Sequence, residues 1–177
     1  MRYLIDDRKL TVETIEAYKI RENNREIIFP YWRNDDLIFI KYLNLDRIGV
    51  RKDMHTKKGC EPCLFGWHLI PANARTVAIT EGEIDTMSLY QYGIPALSVP
   101  FGGGGGDKQR WLEHEFERLS VFDDIYLCLD DDKEGWAATA ELVERLGRHR
   151  CRIVKLPFKD ANECLQVGIL QETIIQC

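Results

Sequence analysis

Apolar positions come in short runs whose character changes near residue 71. Before that point, Thr11 can cap a short helix over 12–19, with Val12, Ile15 and Tyr18 on its inner face. Two strand-like runs follow, EIIFPYW over 26–32 and LIFIKYL over 37–43, and the polar segment between them predicts a β-hairpin. After Pro71 the runs alternate regularly. Strands are predicted over 76–80, 95–100, 124–129 and 151–156, with helices over 83–92, 108–119 and 134–147 between them. Gly93 suits the left-handed position that ends the first of these helices, and Asp160 opens a helical tail.

This β-α-β-α-β-α-β order predicts an α/β fold, a mainly parallel sheet with helices on both faces. A small α+β lobe containing the hairpin precedes it. The change of character sets the boundary between a lobe of residues 1–73 and a domain of residues 74–177. Such sheets bind ligands at the carboxyl ends of their strands. That rule gathers the chemistry-bearing residues. Glu81 and Glu83 follow the first strand, glycines 102–106 the second, Asp130 to Asp132 the third, and Lys159 with Asp160 the fourth. All four groups are expected at one edge.

Composition narrows the reading without redirecting it. The 177 residues are 45% apolar and 30% charged, enough for a buried core in a soluble protein. The net charge of −5 argues against a general nucleic-acid coat but leaves room for a local basic groove. Arg47, Arg51, Lys52, Lys57 and Lys58, with Lys41 just before, concentrate positive charge in the lobe. No apolar run reaches the roughly 20 residues of a membrane span. The acidic start MRYLIDDRKL does not read as a signal peptide, and a cytoplasmic setting is expected.

Neighbouring carboxylates repel unless a cation or a proton lies between them, and a hard divalent ion with oxygen ligands resolves the conflict. If strand alternation continued through the acidic run, Asp130 and Asp132 would share one direction and Asp131 the other, leaving Asp131 a bystander. A calcium loop over 130–141 is rejected because its second half reads as helix and a strand precedes it. A Walker loop is rejected because no Ser or Thr follows Lys108, which does not directly follow the last glycine. The glycine run is expected to be flexible and to allow close approach of backbone or substrate. Cys60 and Cys63, flanked by His55 and His68, lack a second pair at zinc spacing, so reduced, unligated thiols are expected.

TEGEIDTMSLYQYG followed by YLCLDDDKEG resembles the TOPRIM module of primases, topoisomerases and some nucleases. SVPFGGGG and LPFKDANECL resemble, more narrowly, the primase half of phage primase–helicases and their Twinkle-like relatives. The resemblance extends over essentially the whole chain. It implies catalytic Glu81, Asp130 and Asp132, with Glu81 as ligand or base, and magnesium (manganese as an alternative) held by these three and Asp160. It makes Lys41, Lys52, Lys57 and Lys58 candidates for nucleotide or DNA contact, with Gly103 and Lys108 of the glycine loop as further candidates. The implied activity is a nucleotidyltransferase of DNA replication, a DNA primase. It would join ribonucleoside triphosphates into short primers on a single-stranded DNA template, with a replicative helicase as candidate partner and no membrane. A TOPRIM nuclease and a non-enzymatic single-strand DNA-binding module are the alternatives. The zinc-binding module and the helicase domain of such proteins are not found in this sequence, so template-directed synthesis is expected to be weak.

Overall fold

The computed structural model describes residues 1–49, 54–56 and 59–169. Lys52, Lys57 and Lys58 lie outside the described residues.

Thr11 caps α1 (Val12–Ala17) by accepting the Thr14 amide. Ile15 and Tyr18 are buried as expected, whereas Val12 faces solvent at 49% exposure. β1 (Arg21–Glu22), β2 (Glu26–Arg33), β3 (Asp36–Asn44) and β4 (Met54–Thr56) form an antiparallel sheet in sequential order. Alternation fixes which face of it is buried. Ile27, Phe29, Tyr31, Phe39 and Leu43 point inward, and Lys41 shares that inward register.

The second sheet is parallel, in the order β6-β5-β7-β8. It contains β5 (Thr76–Thr80), β6 (Ala96–Ser98), β7 (Asp124–Cys128) and β8 (Cys151–Ile153). Its crossovers carry α2 (Glu83–Gln91), α3 (Leu112–Leu119) and α4 (Lys133–Leu146), and α5 (Ala161–Gln166) follows β8. Helices cover both faces, as the strand–helix alternation requires. Val77, Ile79, Ile125 and Leu127 pack with α3 and α4. Ala78 and Cys128 lie on the opposite face, in the core that holds Met87 and Leu89 of α2 and Cys164 and Leu165 of α5.

That second core continues without a break into the buried face of the antiparallel sheet. Phe65 bridges Ser98 at the edge of β6, with its amide 3.0 Å from the Ser98 carbonyl. A polar hub reinforces the junction. Glu115 of α3 is fully buried and accepts from Arg33 Nη2 at 2.9 Å and from the Trp67 indole at 3.0 Å. Burial of a carboxylate is tolerable when such partners satisfy it. Gly93 has φ +78°, the left-handed geometry its position after α2 predicts. No described helix is long and apolar enough to cross a membrane.

Candidate metal centre

Three strand-to-helix turns bring the carboxylates together at the carboxyl edge of the parallel sheet. Asp130 follows β7, Asp160 precedes α5 and Asp85 lies in the first turn of α2. One carboxylate oxygen from each of these three lies within 4.8 Å of the others, the group among the described residues suited to a metal ion. Asp85 is absent from the ligand set expected from the sequence. Its acid stands in a helix first turn, where attraction to the helix dipole is an ordinary explanation. Asn162 holds it: the Asn162 amide donates to Asp85 Oδ1 at 3.0 Å, and the Asn162 side chain donates to Ser88 Oγ and to the Arg8 carbonyl.

Glu81 stands beside this group, directly after β5. Burial first, then the negative charges of Asp130 and Asp132, pushes its carboxyl from an ordinary 4.5 up to about 7, while backbone groups of Gly103 and Asp130 pull it partly back. Its Oε1 is buried and has no hydrogen-bond partner. Desolvation and the charge of Asp160 likewise raise Asp85, and desolvation raises Asp130 against the pull of Lys159. Lys159 Nζ lies 3.1 Å from Asp130 Oδ2. Acids driven toward their protonated forms in a shared cleft have the donor chemistry a hard divalent cation takes.

Asp132 is used differently. Its Oδ1 accepts the Gly135 amide at 2.9 Å and caps α4, and it stands outside the three-carboxylate group. It acts on the site through its charge on Glu81. Asp160 also caps a helix, accepting the Glu163 amide at 2.7 Å, yet remains in the group. Asp131, expected to be idle, accepts from the Trp136 indole at 2.8 Å.

The glycine loop is fastened instead of free, contrary to its flexible reading. Lys108 Nζ donates to the Gly103 carbonyl at 2.6 Å, Gln109 Nε2 to the Gly104 carbonyl at 2.7 Å, and the Gly104 and Gly106 amides to Glu134 and Glu141 of α4. The group that approaches closely is the chain's own Glu81. A β-carbon on Gly103 would run into both Glu81 carboxylate oxygens. On Gly135 it would stand 2.8 Å from Glu81 Oε1 and closer still to the Asp130 carbonyl.

Lys41, expected to face phosphates, is 8% exposed and places Nζ 2.6 Å from Glu83 Oε1, to which the Tyr31 hydroxyl also donates. Its position on the inward face of β3 makes it a tie between the lobe and the start of α2. Cys60, Cys63, Cys128, Cys151 and Cys164 are free thiols. Among the described residues no metal-capable group forms around Cys60 and Cys63.

With this geometry in view, comparison with known proteins gives a consistent answer. The Toprim-like family model matches residues 78–165. The chain is 31% identical over 126 residues to the Gene 57 protein of Mycobacterium phage D29, covering 71% of this chain and 76% of that protein. It is 28% identical over 219 residues to the Twinkle homolog protein, chloroplastic/mitochondrial, of Arabidopsis thaliana, covering 96% of this chain. The chain spans only 30% of that relative's length. A solved structure containing primase domains of two bacteriophage T7 gp4 subunits bound to an RNA/DNA hybrid and dTTP superimposes with a TM-score of 0.82 at 25% identity, covering 97% of this chain and 88% of that one.

Proposed function

The chain belongs to the Toprim-like family and is homologous to the Twinkle-like and phage primase–helicase proteins, and from that premise we propose that it is the nucleotidyl-transferring core of a DNA primase. It would join ribonucleoside triphosphates into short primers on a single-stranded DNA template, with a replicative helicase as working partner. The observation that carries this reading is a set of crowded carboxylates that Lys159 offsets only in part. Asp85, Asp130 and Asp160 crowd within 4.8 Å, and the buried Glu81 Oε1 beside them lacks a partner.

Asp85, Asp130, Asp160 and Glu81 would hold a divalent cation, magnesium or manganese. Bound there, the ion would supply electrostatic stabilisation of a phosphoryl group in transfer. The chain's own residues set the conditions. Raised to about 7, the Glu81 carboxyl is partly protonated near neutral pH and would give up that proton on holding a cation. Gly103 and Gly135 leave the space that Glu81 occupies. The Lys41–Glu83–Tyr31 cluster fixes the antiparallel sheet against the first turn of α2, two residues from Asp85. The division at residues 73 and 74 is accordingly one of roles: the domain supplies the carboxylates and the lobe braces them.

Incubation with labelled ribonucleotides, a single-stranded template and magnesium tests the reading. Template-dependent oligoribonucleotides should form, and Glu81→Gln and Asp130→Asn should abolish them. Magnesium-dependent shortening of labelled DNA with no nucleotide joining would overturn primer synthesis in favour of a nuclease.

A further inference from the structure

Three strand ends that build the carboxylate edge each lead to one exposed aromatic ring. Phe101 follows β6, Trp136 follows β7 and Phe158 follows β8, at 38%, 47% and 41% exposure. Of these, Phe101 is engaged edge-on by Phe39 of the antiparallel sheet. Trp136 and Phe158 have no ring partner among the described residues and are each a little over half covered by the protein, so part of each ring meets solvent. Large aromatic side chains ordinarily contribute most when buried, so two left open beside a charged centre call for an occupant.

Asp131 ties the two together. Its carboxylate accepts the Trp136 indole N–H at 2.8 Å, and its backbone amide donates to the Lys159 carbonyl at 3.1 Å, one residue beyond Phe158. The indole's polar atom is thereby satisfied within the protein, and what remains on offer is its π-face. Both rings stand on elements that also position the carboxylates: Trp136 in the first turn of α4 after the Asp132 cap, Phe158 two residues before Asp160. Trp136 lines a small cleft whose walls are apolar (Leu129, Ile153 and Leu156) and whose polar side carries Asp130, Asp131 and Lys155. Lys133 and Lys155, close in sequence to the two rings, are exposed, while Lys159 is paired with Asp130, so two lysines add positive charge to an otherwise acidic edge.

Aromatic faces set among cations beside a phosphate-handling centre fit a single-stranded nucleic acid, whose bases stack irrespective of sequence while the cations meet its backbone. We propose that Trp136 and Phe158 are base-stacking surfaces for single-stranded nucleic acid at the rim of the carboxylate site, held in place by Asp131. The assignment rests on the primase reading for the identity of the occupant. It adds residues and a mode of contact to that reading. The bases would be gripped by rings that follow β7 and β8 of the parallel sheet.

A base-containing and an abasic oligonucleotide of equal length separate stacking from charge. By fluorescence anisotropy in magnesium buffer, the wild-type protein should bind labelled oligodeoxythymidine about tenfold more tightly than its abasic counterpart. Trp136→Ala and Phe158→Ala should each reduce that ratio, and Trp136→Phe should retain most of it. A wild-type ratio near one overturns the proposal. So does an equal loss of affinity for both oligonucleotides in a Trp136→Ala variant that melts like the wild type, because the ring then contributes nothing specific to bases. A protein that keeps the base preference and the ring dependence but joins no ribonucleotides supports the stacking surfaces while removing the primase reading, so the two failures are distinguishable.

Discussion

Lys41 Nζ lies 2.6 Å from Glu83 Oε1 where the antiparallel sheet meets the first turn of α2. Both side chains are almost entirely removed from water, so the pair costs desolvation that only good geometry and the Tyr31 hydroxyl offset. Breaking it on one side strands the other charge. Lys41→Met is expected to lose about 3–5 kcal/mol of stability in denaturant titrations. Lys41→Met combined with Glu83→Leu should recover much of that loss. A fully stable single variant would show that the pair does not bind the lobe to the domain.

Gly135 is the position at which the smallest change should do the most local harm. A methyl group there meets the Asp130 carbonyl and Glu81 Oε1 together, and the first of these is backbone that cannot swing aside. Gly135→Ala should cost about 1–3 kcal/mol, as overpacking does, and should weaken manganese binding in calorimetry. Alanine is otherwise the better helix former, so an increase in stability would mean the helix start can shift without penalty.

The two outer aspartates of the acidic run are expected to separate experimentally. Asp130→Asn and Asp85→Asn should reduce manganese affinity with modest effects on melting. Asp132→Ala removes the α4 cap and should cost about 0.5–2 kcal/mol of stability, with a smaller effect on metal binding. Equal metal losses at Asp130 and Asp132 would make Asp132 a direct ligand.

Acidity offers an independent check. Glu81 rises in the folded protein from an ordinary 4.5 to about 7, and Asp85 and Asp130 rise as well. A carboxyl raised on folding contributes its full stabilisation below its unfolded value and loses it as pH climbs through its folded value. The melting temperature of the metal-free protein should therefore fall as pH rises from 4.5 through 7. Added magnesium should raise it most at the upper end. His68, lowered by burial, works in the opposite direction below about pH 6.5, so comparison with Glu81→Gln isolates the carboxylate. A melting profile unchanged by Glu81→Gln would show that Glu81 titrates normally.

Most of the architecture was legible because period and punctuation agree. The run TVAIT became β5 over the residues expected, and the acids and glycines fell at one edge as parallel topology demands. What escaped detection were residues whose role depends on distant partners. Asp85 looked like a helix-dipole acid, and its place in the carboxylate group needs Asp160 and Asn162, some seventy-five residues away. Glu115 is an ordinary acid of the predicted 108–119 helix in the sequence, and its burial depends on Arg33 and Trp67 reaching it across the junction. The strand alternation that paired Asp130 with Asp132 could not tell a ligand from a cap: both charges act on Glu81, but β7 ends at Cys128 and Asp132 turns an oxygen to the Gly135 amide. Val12 fits an inward position by spacing alone, but a helix of six residues leaves little face to bury.

Asp160 is at once the cap of α5 and a member of the carboxylate group, and α5 has only six residues. So short a helix contributes little stability of its own and leans on its contacts with α2. Small excursions in which its first turn opens would withdraw one ligand and loosen the Asn162 amide from Asp85 while the sheet stays intact. Hydrogen exchange at the Glu163 amide should then report openings far more frequent than those of β5 or β7, slowed when a divalent ion is added. On heating, the capacity to hold an ion would disappear before the protein melts, through the fraying of a single turn.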